Sequence, residues 1–107
     1  MIVSTAESIA GKRIVRTLGI VRGNTVRARH LGKDIVAALK NIVGGEIEEY
    51  TKLLAESRDQ AVDRMIADAR EAGAHAIVGV RFTTSYVMSN AAEIMVFGTA
   101  VLLEDER

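Results

Sequence analysis

Apolar positions along this chain recur in two periods, one suited to strands and one to a helix. From Arg13 to Ala28 the aliphatic residues Ile14, Val15, Leu18, Ile20, Val21 and Val26 predict an extended segment broken by Gly19 and Gly23. Gly23-Asn24 reads as a turn or bulge, because both residue types tolerate positive φ. A short helix is expected over Asp34 to Ile42, with Ile35, Leu39 and Ile42 on one face and Gly44-Gly45 ending it.

The strongest pattern runs from Glu46 to Ala72. Ile47, Tyr50, Leu54, Ala61, Met65, Ala69 and Ala72 fall at steps of three and four and form one stripe of a long helix. Glu46, Glu48 and Glu49 stand in its first turn, where negative charge complements the helix dipole. Gly73 follows and suits a left-handed cap. Such a helix is roughly 40 Å long, against about 34 Å for the width of a compact domain of this size. It should overhang its own domain or lie partly against a neighbour.

A hairpin follows. In Ala76 to Met88 the even positions Ala76, Val78, Val80, Phe82, Tyr86 and Met88 are expected to face the helix, with Gly79, Arg81, Thr83 and Ser85 on the other side. Met88-Ser89-Asn90-Ala91 supplies the loop. The last strand, Glu93 to Leu103, carries Ile94, Val96, Ala100 and Leu102 on one face and Met95, Phe97, Val101 and Leu103 on the other. A strand apolar on both faces must be covered on both. One helical layer covers one face, so the second cover is another subunit or the short helix folded beneath the sheet.

Composition narrows the chemistry. The 107 residues make a single domain spanning 1–107, and with 49% hydrophobic but 4% aromatic residues the core is aliphatic. Fourteen basic residues balance fourteen acidic ones, which removes the usual electrostatic case for nucleic-acid binding. The absence of cysteine excludes disulfides, thiolate metal sites and cysteine nucleophiles. Met1-Ile2-Val3-Ser4-Thr5 has neither the basic nor the apolar region of a signal peptide, and no stretch approaches the length of a membrane span. The expectation is a cytoplasmic protein, bound neither to membrane nor to nucleic acid.

Arg58 falls within the stripe of Leu54, Ala61 and Met65. A buried guanidinium there needs a carboxylate such as Asp34, Glu46 or Glu93; the alternative is a side chain that snorkels out at the stripe's edge. Arg81 interrupts an apolar strand and points away from the helix face, where it either binds an anion in a cavity or channel or is an ordinary outward residue. Arg27-Ala28-Arg29-His30 with Lys33 is the densest basic cluster, but it lacks interleaved aromatics. His30 and His75 are isolated, so no local metal motif exists. A hard-ion site from Asp34, Glu46 and Glu49, joined by His30, competes with a simpler reading in which the first-turn acids satisfy a helix N-terminus. No nucleophile stands beside a base, and the chain is not expected to be an enzyme.

Several segments together resemble the YbjQ-like family of small bacterial and archaeal proteins. They are Gly19-Ile20-Val21-Arg22-Gly23, Leu31-Gly32-Lys33-Asp34-Ile35, and Ile42-Val43-Gly44-Gly45-Glu46 with Tyr50. Arg58, Ala61 and Met65 follow, then the run from Gly73 to Arg81, in which His75 replaces a small polar residue, and Phe97-Gly98-Thr99-Ala100-Val101. The resemblance implies an α+β, two-layer subunit, with an antiparallel sheet packed on one long helix plus a short helix, similar to dodecin subunits and assembled as a ring-shaped pentamer. It also implies the family's label of heavy-metal binding. Soft metals favour thiolate or thioether ligands, and Met65, Met88 and Met95 fall at core or interface positions here, so the resemblance supports assembly better than metal. The reading is a homo-oligomeric binding or scaffold protein, with any ligand at a subunit interface or pore near Glu46, Tyr50, Arg58 and Arg81. The alternative is a metal-ion-binding protein using His30, Asp34, Glu46 and Glu49.

Overall fold

The computed structural model describes residues 1–27, 48–88 and 91–106, with backbone only at 27, 48–50, 87–88 and 91. The short helix expected over 34–42 and the Gly44-Gly45 junction lie outside the described residues. In chain order the elements are β1 (Ile2–Val3), β2 (Lys12–Arg27), α1 (Glu48–Glu71), β3 (Ala76–Met88) and β4 (Ala91–Asp105). The architecture is α+β, a four-stranded sheet in the order β1-β3-β4-β2 with a helix on one face.

The three long strands fall where period-two patterning places them. β2 pairs antiparallel with β4 from Lys12↔Asp105 to Arg27↔Ala92, and β3 pairs with β4 from Ala76↔Val101 to Met88↔Ala91. That register makes β3 and β4 a tight hairpin. The sheet is mixed rather than purely antiparallel, because β1 runs parallel to β3 through Ile2↔Ala76 and Val3↔Ile77. Nothing in the hydropathy of the first ten residues announces so short a strand. It is held by backbone bonds from Ser4 N–H to the Ile77 carbonyl, Val80 N–H to Ser4 and Gly79 N–H to Ala6.

α1 packs chiefly on β2, then on β4, and scarcely reaches β3. Its buried row is Ser57, Ala61, Met65 and Ala69. These are consecutive steps of four, a ridge inclined to the helix axis. Val21, Ile77, Val80, Val96 and Ala100 complete the cluster beneath them. Glycine makes the close packing possible: a Cβ on Gly23 would stand 1.9 Å from the Ala61 carbonyl oxygen and 2.5 Å from the Met65 nitrogen. Gly23 is therefore a mid-strand residue in contact with the helix, not the expected turn. Gly73 ends α1 as expected, at φ 80°. Its N–H reaches Arg70 and that of Ala74 reaches Ala69, the paired bonds of a Schellman cap.

The even positions of β3 do not share one face. Ile77 and Val80 join the helix-side cluster, whereas Ala76 and Val78 pack with Val101, Ile9, Ile14 and Leu103 on the opposite side. Gly79, at φ 63°, forms a bulge between them, and the register with β4 shifts there. The extra residue reverses which parity faces the helix. On the face away from α1, the N-terminal segment through Ile9 covers the Val101 end of β4. Met95 and Phe97, further along, remain half-buried.

Candidate functional site

Strand register assigns the charged residues to faces. Val21, Gly23 and Thr25 of β2 lie under α1, and Thr25 donates its hydroxyl to the Ser57 carbonyl at 3.2 Å. The alternate residues Ile20, Arg22, Asn24 and Val26 point to the other face. Phe97 of β4 has Arg22 as its partner on one side and Arg81 on the other. Arg22, Phe97 and Arg81 thus form one cross-strand row, with strands about 4.8 Å apart. The next row is Asn24, Met95 and Thr83. Both arginines are exposed and Phe97 is half-buried. Two guanidiniums flanking a ring attract anions, and the carboxylate on the same face nearest them along β4, Glu93, lies two rows further on, bonded to Asn24.

Arg81 points away from the helix, as its place in the sequence suggests. Its Nη1 donates to the Thr5 carbonyl and to its neighbour Val80, each at 2.8 Å. Those bonds fasten the N-terminal segment to β3 beside the bulge and leave the remaining N–H groups of a five-donor fork for other partners.

Arg58 takes the second of its two expected settings, at the edge of the stripe rather than in a buried ion pair. It is exposed, and Ser57, one position earlier, occupies the buried row and is fully covered. Steps of four from Ala61 lead back to 57, so Arg58 falls at the stripe's edge and reaches water. Glu93, one of its expected carboxylate partners, instead accepts a bond from Asn24 Nδ2 at 3.1 Å and pairs with Val26 and Ser85 on the face away from α1. A single chain therefore separates Arg58 from Arg81, one on the helix side and one on the other face.

His30, Asp34 and Glu46 lie outside the described residues. Glu49 and Tyr50 belong to the first turn of α1, where only the backbone is described. Among the described residues no group of three or more His, Cys, Asp or Glu side chains converges on a point that could hold a metal. Met65 is fully buried in the core, and His75 engages its Nδ1 with Leu103, 2.9 Å from its nitrogen and 3.1 Å from its oxygen. The described residues do not fit a soft metal ion. In an open depression lined by Arg13, Glu104, Asp105 and Glu106, two of the three carboxylates are compensated, Glu104 by Arg13 and Asp105 by Lys12.

Arg22 is the residue that sequence reasoning missed as a site candidate. Its outward parity is readable from Ile20, Arg22, Asn24 and Val26. Its adjacency to Arg81 is not, because that depends on both strands meeting β4 in a register set by bulges.

Fold and site together define a small α+β sheet protein with one helix-covered face and a cationic row on the other. Among the described residues, no helix is long and apolar enough to cross a membrane. Residues 1–104 match a family model described as "Putative heavy-metal-binding", the YbjQ family, and the chain belongs to it. A UPF0145 protein of Dehalococcoides mccartyi strain BAV1 is 59% identical over 104 residues, 97% of this chain and all of its own length. Relatives in Methanosarcina acetivorans and Thermus thermophilus are 55% identical over 101 residues and 53% over 107. They cover 94% and 100% of this chain and 95% and 94% of their own lengths. Among solved structures, a protein of unknown function from Pediococcus pentosaceus, described as a DUF74 member, superposes with a TM-score of 0.65 at 17% identity. It covers 97% of this chain and 98% of its own, and shows a shared fold.

Proposed function

We propose that this protein works as a homo-oligomeric binding or scaffold protein, with any ligand held where chains meet or in a pore that they enclose. The shape of the single chain carries this reading. Its radius of gyration is 17.4 Å, with extents of 58 × 27 × 16 Å, whereas a compact domain of this length has about 13 Å. Strands of 13 to 16 residues outrun the helix that covers them. They leave Tyr86 81% exposed, Ile20 79%, Val26 55% and Phe82 49%. Apolar side chains spread over a thin slab favour burial against further copies.

The five-membered ring and the dodecin-like subunit with its second helix belong to this proposal, as does a cytoplasmic location. Arg81 with Arg22, and Arg58 from the helix side, are residues we assign to the ligand-bearing interface together with Glu46 and Tyr50, with an anion as the ligand suited to the arginine row. Sedimentation velocity at micromolar concentration tests it. The expected result is one species at about five times the 11.6 kDa chain mass; a stable monomer overturns the reading.

A second reading, metal-ion binding, draws its support from the family's description. Its ligands are His30, Asp34, Glu46 and Glu49, a set of hard donors and one imidazole. Titration calorimetry with zinc, copper, nickel and cadmium decides it. Saturable heat abolished by Asp34→Asn with Glu46→Gln supports it, and no saturable heat with any of the four ends it.

A further inference from the structure

β2 forms one margin of the sheet, with β4 beside it. Among the described residues no strand pairs with the outer side of β2, and an edge sixteen residues long offers alternating N–H and C=O groups to any extended chain that meets it. In the middle of this edge two of those groups are taken by side chains of α1. The Arg22 N–H donates to Asp68 Oδ2 at 3.4 Å, and Arg64 Nη1 donates to the Asn24 carbonyl. In an antiparallel strand, backbone groups of alternate residues point to the same side. Residues 22 and 24 therefore direct theirs outward, while 21, 23 and 25 direct theirs at β4.

The spacing of the two elements matches. Four residues of helix advance about 6 Å, and two residues of strand advance about 6.8 Å. Arg64 and Asp68, one helical step of four apart and both exposed, stand above Asn24 and Arg22. Gly23, between them, lets the helix come near enough, since a Cβ there would overlap the Ala61 carbonyl. The polarity matches as well, with the carboxylate meeting the N–H and the guanidinium meeting the carbonyl.

We propose that Arg64 and Asp68 form an edge guard, a pair of opposite charges that occupies the outward backbone groups of Arg22 and Asn24 and closes β2 to strand addition by another chain. Neither side chain belongs to the apolar row of the helix. The guard explains how so long an edge strand coexists with a sequence rich in aliphatic residues and free of proline.

The test exchanges the two charges, R64D with D68R, which keeps composition, net charge and an i,i+4 ion pair but sets each charge against the wrong backbone group. Hydrogen exchange of the Arg22 amide is read by NMR on the full chain, together with thioflavin T binding on incubation. Asp59→Asn is the control for altered charge elsewhere on α1. The expected result is Arg22 exchange faster by about tenfold, with thioflavin-positive aggregates absent from the parent and the control. Unchanged exchange overturns the proposal. So does faster exchange without aggregation, because the bond would then exist without guarding the edge, and so does aggregation with unchanged exchange. Should the swapped chain unfold, the pair R64A with D68A, which removes both side-chain partners, is read the same way.

Discussion

Two glycines show what a single residue does here, and they do it for different reasons. Gly73 is required by its backbone, which is left-handed at the end of α1. Gly23 is required by its missing side chain, because the helix backbone fills the space where a Cβ would go. Asparagine tolerates the left-handed region, so Gly73→Asn is expected to cost less than about 1 kcal/mol. Gly23→Ala must push α1 off β2, an overpacking cost of about 2 kcal/mol or more. Urea unfolding of the two variants checks the contrast, and equal losses would show that the helix does not approach β2 so closely. The sequence pattern marked Gly73 correctly because a cap is a local event. It misread Gly23 because contact with a helix more than thirty residues away leaves no local trace. Arg58 and Ser57 repeat the lesson on the helix: a stripe with steps of three or four admits either, and the inclined packing of α1 on β2 selects the steps of four.

The long strands and the helix were legible because each buries one face over many residues, so the period survives local exceptions. Their junctions were not. The Gly79 bulge reverses the facing of β3, and it is stabilised by Ser4, by Ala6 and by Thr5 through Arg81, an N-terminal segment more than seventy residues away in sequence. Of the candidate site, the outward setting of Arg81 was legible and its row with Arg22 and Phe97 was not. Pairing between elements also sets an electrostatic term. β2 begins where β4 ends, and the register Lys12↔Asp105 and Arg13↔Glu104 makes two cross-strand ion pairs. The hydrogen bond from Lys12, reinforced by its charge, holds the Asp105 carboxyl below the usual carboxylate range. A carboxylate with a depressed folded-state pKa contributes stability that is present above its unfolded value, about 3.9. That contribution is lost as pH falls through the lower folded value. Asp105→Asn is therefore expected to flatten the acid limb of melting temperature against pH below about pH 4. The effect is small, because the pair is exposed, and about 0.5 M salt should mimic it. An acid limb identical to the parent's would show that Lys12 does not hold Asp105 in solution.

At the scale of the whole molecule the decisive quantity is shape. α1 spans roughly 36 Å but lies over β2 and β4 and scarcely reaches β3, so the outer half of β3 lies beside the helix rather than under it. Phe82 and Tyr86 sit on that stretch, paired with Val96 and Ala92 on the helix side of the sheet, and both remain exposed in the single chain. Burying a large aromatic side chain contributes about 1.5 to 3 kcal/mol, so two per chain would add about 3 to 6 kcal/mol toward the closed assembly proposed above. Replacing both by lysine removes that contribution and sets like charges against one another at each proposed contact, without touching the buried row of α1 or the cluster beneath it. Phe82→Lys with Tyr86→Lys is thus expected to keep the far-ultraviolet circular dichroism of the parent while dissociating the assembly. Small-angle scattering should then give a monomer with a radius of gyration near the 17.4 Å of the single chain, not the larger value of a ring. Glu56→Lys, an exposed change on α1, should leave the assembly intact. A double variant that retains the parental mass would mean that the outer half of β3 is not where chains meet. A variant that unfolds on dissociation would place the single chain among subunits that fold only in company, and its stability would then vary with protein concentration.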